Sequence, residues 1–151
     1  MASADPGYHR LMESPTLLPA HAAFLGGRHF ATVATLDEDG APRQTVVWYA
    51  HLDDGRVLIN SRHPRRWCSN LIRDGRVALA ITENPYRWLG LTGTVDEVID
   101  DVERARDDIV GLARRYSEDG SVDPETEAAF RSQPRVTFLI RISGVHDHLE
   151  G

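Results

Sequence analysis

The chain has 151 residues, enough for one domain with its own core, and its 41% apolar and 26% charged content is ordinary for a globular protein. A net charge of −6 argues against general nucleic-acid binding, and no apolar run approaches the length of a membrane span. The single cysteine, Cys68, excludes an internal disulfide, and the complete absence of lysine excludes Schiff-base chemistry and covalent pyridoxal phosphate.

Residues 1–16 carry Pro6, Gly7 and Pro15 and read as a flexible arm ahead of a single domain over 17–151. Met1 to Asp5 has neither a basic nor an apolar signal region, so a cytoplasmic protein is expected, in keeping with its cysteine usage. Pro19 to Leu25 suits a short helix stopped by Gly26-Gly27. His29 to Leu36 and Pro42 to Leu52 read as strands joined by the hairpin turn Asp37-Glu38-Asp39-Gly40. After Asp53-Asp54-Gly55 comes a third strand, Val57-Leu58-Ile59. A helix from about Arg65 to Arg73 is expected to bury Cys68, Leu71 and Ile72, at i, i+3 and i+4.

Val77 to Thr82 alternates, with Val77, Leu79 and Ile81 on one face and Ala78 and Ala80 on the other. The alanine face leaves room for a neighbouring element or a flat ring. Trp88 to Val98 reads as a long strand, with Gly90 and Gly93 inviting a bend or bulge. Asp101 is placed to start a helix to Tyr116 whose buried face runs through Val102, Ala105, Ile109, Leu112, Ala113 and Tyr116. A short helix over Pro124 to Arg131 precedes a return strand, Val136 to Ile142. Hairpin turns this short forbid parallel crossovers, so the pattern is mainly β, an antiparallel barrel with inserted helices.

One stretch carries the functional signal. Asn60-Ser61-Arg62-His63-Pro64-Arg65-Arg66-Trp67 sets three arginines between a strand and the start of a helix, where cations oppose the macrodipole. A bound anion, most simply a phosphate, would make sense of them; solvated surface arginines are the plain alternative. Residues 56–76 hold six arginines against one acid, whereas 94–127 hold twelve acids against four arginines. A basic island in an acidic protein suits a compact anionic ligand. With no lysine present, arginine forks, backbone amides and hydroxyls must do the recognition.

Four segments in order carry a family resemblance: Phe30-Ala31-Thr32-Val33-Ala34-Thr35 with Asp39-Gly40-Ala41-Pro42; Asn60-Ser61-Arg62; Asn70 through Leu79; and Tyr86 through Val95. Over roughly residues 20–145 the chain resembles the pyridoxamine 5′-phosphate oxidase-like, flavin-binding split β-barrel superfamily, and within it the branch using the deazaflavin coenzyme F420. The resemblance implies a six-stranded antiparallel split β-barrel of the FMN-binding type, and a homodimer with cofactor at the interface. It implies that Thr45, Val46 and Val47 lie against the ring, and that Asn60, Ser61 and Arg62 hold the ribityl or phosphate region. Arg65 and Arg66 match phosphate-contacting positions, and Asn70 a position near the cofactor. Trp67 departs from the family, which usually has lysine there. Tryptophan cannot donate a charge-assisted bond, though it can stack on a ring or cover the barrel end, and Arg65 restores a positive charge.

The implied activity is oxidoreductase: hydride transfer from reduced F420 to a small electron-poor substrate. The alternatives are an FMN-binding oxidoreductase and a non-catalytic ligand-binding barrel. The cofactor brings the reactivity, which accounts for the lack of an acid–base constellation. Tyr49, Tyr86 or a histidine could supply a proton. His146-Asp147-His148 lacks a third metal ligand in sequence, and no metal is expected. His51 reads as a surface residue, Cys68 as packing, and Trp48 and Trp88 as pocket walls or core. The partners expected are a small-molecule substrate and a second copy of the chain, with no nucleic acid and no membrane.

Overall fold

Two tight turns organise the sheet. At Asp37–Gly40 the Gly40 N–H donates to the Asp37 carbonyl at 2.8 Å, and Gly40 takes φ 85°, where a side chain would be strained. Asp54 likewise receives the Arg56 N–H at 3.0 Å and fixes the turn at Gly55. The computed structural model describes residues 17–150; the expected arm over 1–16 lies outside them.

In chain order the elements are α1 (Pro19–Leu25), β1 (Phe30–Leu36), β2 (Pro42–Val47), β3 (Ala50–His51), β4 (Val57–Arg62), α2 (Arg66–Arg73), β5 (Arg76–Asn84), β6 (Arg87–Ile99), α3 (Val102–Tyr116), α4 (Pro124–Arg131) and β7 (Arg135–His148). The strands form one antiparallel sheet in the order β2-β1-β5-β6-β7-β4-β3. It curls around an interior filled by Val33, Ile59, Leu79, Leu91, Phe138 and Ile140, with α1 and α2 contributing Leu25 and Leu71. A second, smaller core lies where α3 packs on β4 and β7, through Leu58, Ile109, Val110 and Leu139. The expected mainly β split barrel is what forms.

The strand count is seven rather than six. The run expected as one strand over Pro42–Leu52 breaks at Trp48-Tyr49. Tyr49 turns fully inward and donates its hydroxyl to the Leu25 carbonyl at 2.8 Å, while Trp48 stacks on Tyr116 with ring centroids 5.3 Å apart. The chain thereby leaves β1 and crosses to pair with β4. Two buried faces and one strand end also differ. Ile72 is 51% exposed, because α2 turns Trp67, Cys68, Asn70 and Leu71 inward instead. Val102, in the first turn of α3, is exposed, and Val110 is buried in its place. The return strand does not end at Ile142; β7 continues to His148 along β6.

Of the two glycines of β6, Gly93 marks a bulge as expected, whereas Gly90 stays in register with Ala80 and His146. Register shifts fall between Thr92 and Gly93 and between Val95 and Glu97. A Cβ on Gly93 would meet the Arg141 carbonyl oxygen across the ladder, so only glycine allows that approach. Asp101 caps α3 by accepting the Arg104 N–H at 2.8 Å.

Candidate functional site

The arginine-rich stretch occupies the end of β4 and the start of α2. Asn60, Ser61 and Arg62 are β4 strand residues, Arg65 is the N-cap of α2, and Arg66 its first residue. No side chain caps this terminus, and its first turn holds no acid. Arg62, Arg65 and Arg66 are all exposed around this helix start, whose first backbone N–H groups have no partner within the helix.

The structure divides those arginines into two groups. Arg66 turns toward the β1–β2 hairpin, its Nε 3.6 Å from Asp37 Oδ1. Asp37 also accepts from Arg43 Nε at 3.1 Å and Asn70 Nδ2 at 2.9 Å. The Arg43 bond, followed by that from Asn70, holds its carboxyl well below the usual range, at about 2. Arg62 lies on the other side, directly across the β4–β7 ladder from Arg135. Arg65 and Arg62 both act on the Arg135 guanidinium. Burial and then these two charges push it down to about 10.

Other expected binding residues are committed inside the protein. Asn60 is buried; its amide donates to the Ala105 carbonyl and to Thr137 Oγ1, each at 2.9 Å, and its Oδ1 accepts from Arg135 Nη1 at 3.2 Å. Ser61 is buried and donates to the Arg62 carbonyl at 2.7 Å. Asn70 is buried and bonded to Thr35 Oγ1 at 3.1 Å as well as to Asp37. Trp67 is buried against Phe138, with centroids 6.0 Å apart, and packs in the interior core. Only 6% of its surface is exposed. Its Nε1 is buried without an acceptor.

Thr45, Val46 and Val47 do not share a face. Val46 is 65% exposed on the outer side of β2, and Val47 packs against the interior core. They lie on an edge strand, since β2 pairs only with β1 and every second residue along it turns its N–H and C=O away from the sheet.

The alanine face of β5 opens onto the outer surface of the sheet. Ala34, Ala78, Ala80, Gly90 and Gly144 floor a hollow of about 410 Å³, walled by Trp88 and His146. A second hollow of about 400 Å³ adjoins it around Ala78, Thr92 and Gly93. His146 and His148 stack with Trp88, their Nε2 atoms 2.8 Å apart, while Asp147 turns away to His21. Among the described residues no three potential metal ligands cluster.

The proton-donor candidates separate. The Tyr49 hydroxyl is bonded to the Leu25 carbonyl in the core and its pKa is raised by burial, whereas Tyr86 is exposed in the β5–β6 turn. His51 is half-buried, with Nε2 enclosed and unpartnered, and burial lowers its pKa. No helix among the described residues is long and apolar enough to cross a membrane.

Asp37, Arg43 and Arg135 escaped the reading of the sequence. Asp37 passed as a turn residue, and Arg135 enters the corner only through the pairing of strands more than seventy positions apart.

A curled antiparallel sheet with an open edge at β2 defines a split β-barrel. Residues 17–149 match the family model of pyridoxamine 5′-phosphate oxidase, and the chain belongs to that family. No curated protein matches it. Among solved structures it is similar to an F420 reductase, at 23% identity and a TM-score of 0.70, over 86% of this chain and 98% of that one. It is also similar to a conserved hypothetical protein of Mycobacterium tuberculosis, at 25% identity and a TM-score of 0.68, over 88% and 86% of the two chains. The haem storage protein HutZ of Vibrio cholerae shares the fold at 18% identity and a TM-score of 0.65, covering 88% of this chain and 95% of that one.

Proposed function

We propose that the protein is an oxidoreductase that uses a phosphorylated tricyclic coenzyme, F420, and reduces a small electron-poor substrate. The observation carrying this reading is the corner at the start of α2. Arg62, Arg65 and Arg66 stay exposed there although the chain as a whole is acidic. The donor set fits a phosphate group: guanidinium forks bind its oxygens in pairs, beside the free N–H groups of a helix start. Arg62, Arg65 and Arg66 would hold the phosphate. The free edge of β2 at Thr45–Val47 would face the polar rim of the ring. When bound, the deazaflavin supplies the hydride; the protein orients it and keeps water from the reacting face.

Flavin mononucleotide is the second reading, since the same arginines suit its phosphate. Two copies of the chain would bring their outer faces together. The small-residue hollows permit close approach, and the exposed Phe30 and Val46 beside them offer apolar surface. The test is the absorbance of the purified protein, followed by titration with F420 and with FMN. Tight binding of F420 alone supports the first reading, and of FMN alone the second. If neither binds, both fail. Arg66→Gln should weaken whichever cofactor binds, and a monomer in light scattering would remove the interface.

A further inference from the structure

We infer that His146 and His148, near the end of β7, chelate a divalent transition-metal ion of the Cu²⁺ or Ni²⁺ class through their Nε2 atoms. The inference is independent of the cofactor reading.

The two histidines stand two residues apart on a strand, so both project from the same face of the sheet, while Asp147 between them points the other way. Asp147 lies 2.7 Å from Nε2 of buried His21 and accepts the Leu149 N–H at 2.8 Å, which fastens this end of the strand. The two imidazole centroids are 4.7 Å apart but the Nε2 atoms only 2.8 Å apart, so the rings meet by their Nε2 edges rather than face to face. Both rings lie over one indole. His146 and His148 are tilted by 8° and 9° from the plane of Trp88, at centroid distances of 5.5 and 4.4 Å. Trp88 stands directly across the ladder from His148, and Gly90 across from His146. A Cβ on Gly90 would come within 3.1 Å of Trp88 Cζ3 and 3.2 Å of His146 Cβ, so glycine there lets the indole lie close to His146.

An imidazole nitrogen binds such an ion at about 2.0 Å. Two nitrogens at a right angle around it are then about 2.8 Å apart, and two at the tetrahedral angle about 3.3 Å. The observed 2.8 Å is the spacing of adjacent corners of a square or an octahedron, the geometry of Cu²⁺ and Ni²⁺ rather than of tetrahedral zinc. In the ion-free chain one ring donates its Nε2 proton to the other across this gap. Moving that proton to Nδ1 of the same ring is a change of tautomer, and it frees both Nε2 lone pairs for the ion. Both imidazoles are exposed, and His146 borders the outer hollow of about 410 Å³, which leaves room beside the pair. Among the described residues no third protein ligand clusters with them, so water completes the shell. In a pair of chains joined by their outer faces, those water positions would face the second copy.

The test is calorimetric titration of the intact protein with Ni²⁺ at about pH 8, above the usual imidazole range. Wild type is compared with His146→Ala, His148→Ala and His63→Ala, the last removing an exposed histidine of the β4–α2 corner. Mg²⁺, which prefers oxygen ligands, serves as the control ion and should not bind this pair. The expected result is a loss of about tenfold or more in Ni²⁺ affinity in both His146→Ala and His148→Ala, with His63→Ala equal to wild type. Electron paramagnetic resonance with one equivalent of Cu²⁺ reads the ligands directly: two nitrogens coupled to the ion in wild type and one in each variant of the pair support the chelate. Wild type that binds no Ni²⁺, equal affinity in all four proteins, or a loss in His63→Ala as large as in the pair overturns it. A loss in only one of the two variants, with a single coupled nitrogen in wild type, reduces the site to one surface imidazole and overturns it as well.

Discussion

Replacing Asn60 with alanine separates two roles that the sequence could not tell apart. As a cofactor ligand, Asn60 would cost binding and little else. The structure instead gives its amide three bonds within the protein, to the Ala105 carbonyl, Thr137 Oγ1 and Arg135 Nη1. Each buried bond contributes roughly 1 kcal/mol, and the one to a charged group somewhat more, so Asn60→Ala should lose about 3–4 kcal/mol. Two partners soften the loss: Thr137 Oγ1 keeps its bond to Asp108 at 2.8 Å, and Arg135 keeps Gln133. For a chain of this size the melting temperature should fall by roughly 10 °C. Urea denaturation followed by circular dichroism measures the loss, and cofactor affinity is titrated in parallel under conditions where the variant is folded. Because Arg135 loses one of its supports, affinity should fall by less than in Arg62→Gln. A stability loss below about 1 kcal/mol combined with an affinity loss as large as that of Arg62→Gln would refute the reasoning and restore Asn60 as a direct ligand.

Three further outcomes test the frame around the site. Arg115 donates to the carbonyls of Tyr49, Leu25, Gly26 and Gly27 and lies over the Tyr49 ring, pinning the end of α1 to α3. Arg115→Ala should therefore cost about 2–4 kcal/mol in chemical denaturation, and Arg115→Lys most of that, since an ammonium cannot fork across four acceptors. Gly93→Ala should cost about 1–3 kcal/mol, because its methyl group meets the Arg141 carbonyl and must part β6 from β7; a melting temperature equal to wild type would contradict this. Asp37 has a folded-state pKa of about 2, below the ordinary 3.8, so the stability it contributes is present above pH 4 or so and is lost as the pH falls toward 2. The stability gap between wild type and Asp37→Asn should shrink over that range, and a gap independent of pH would exclude the Arg43 and Asn70 contacts as its source.

Local signals determined much of this protein. Hairpin turns with glycine at a positive φ, the alternation of Val77, Leu79 and Ile81, the Asp101 cap and the paired glycines of β6 each act over a few residues. They specify an antiparallel mainly β fold whatever the rest of the chain does. The Asn60–Asn70 stretch was legible as a cationic corner for the same reason, since strand end, turn and helix start adjoin in sequence. Tertiary pairing decided the rest. Which side of β4 faces α3 gave Asn60 its bonds to Ala105 and Thr137, and burial enclosed Trp67 in the interior core. Arg135 joins Arg62 only because β7 returns to lie beside β4, and Asp37 claims Arg66 only because α2 packs against the β1–β2 hairpin. Charge and burial depend on neighbours in space, and those neighbours are set by strand order, which no local pattern encodes.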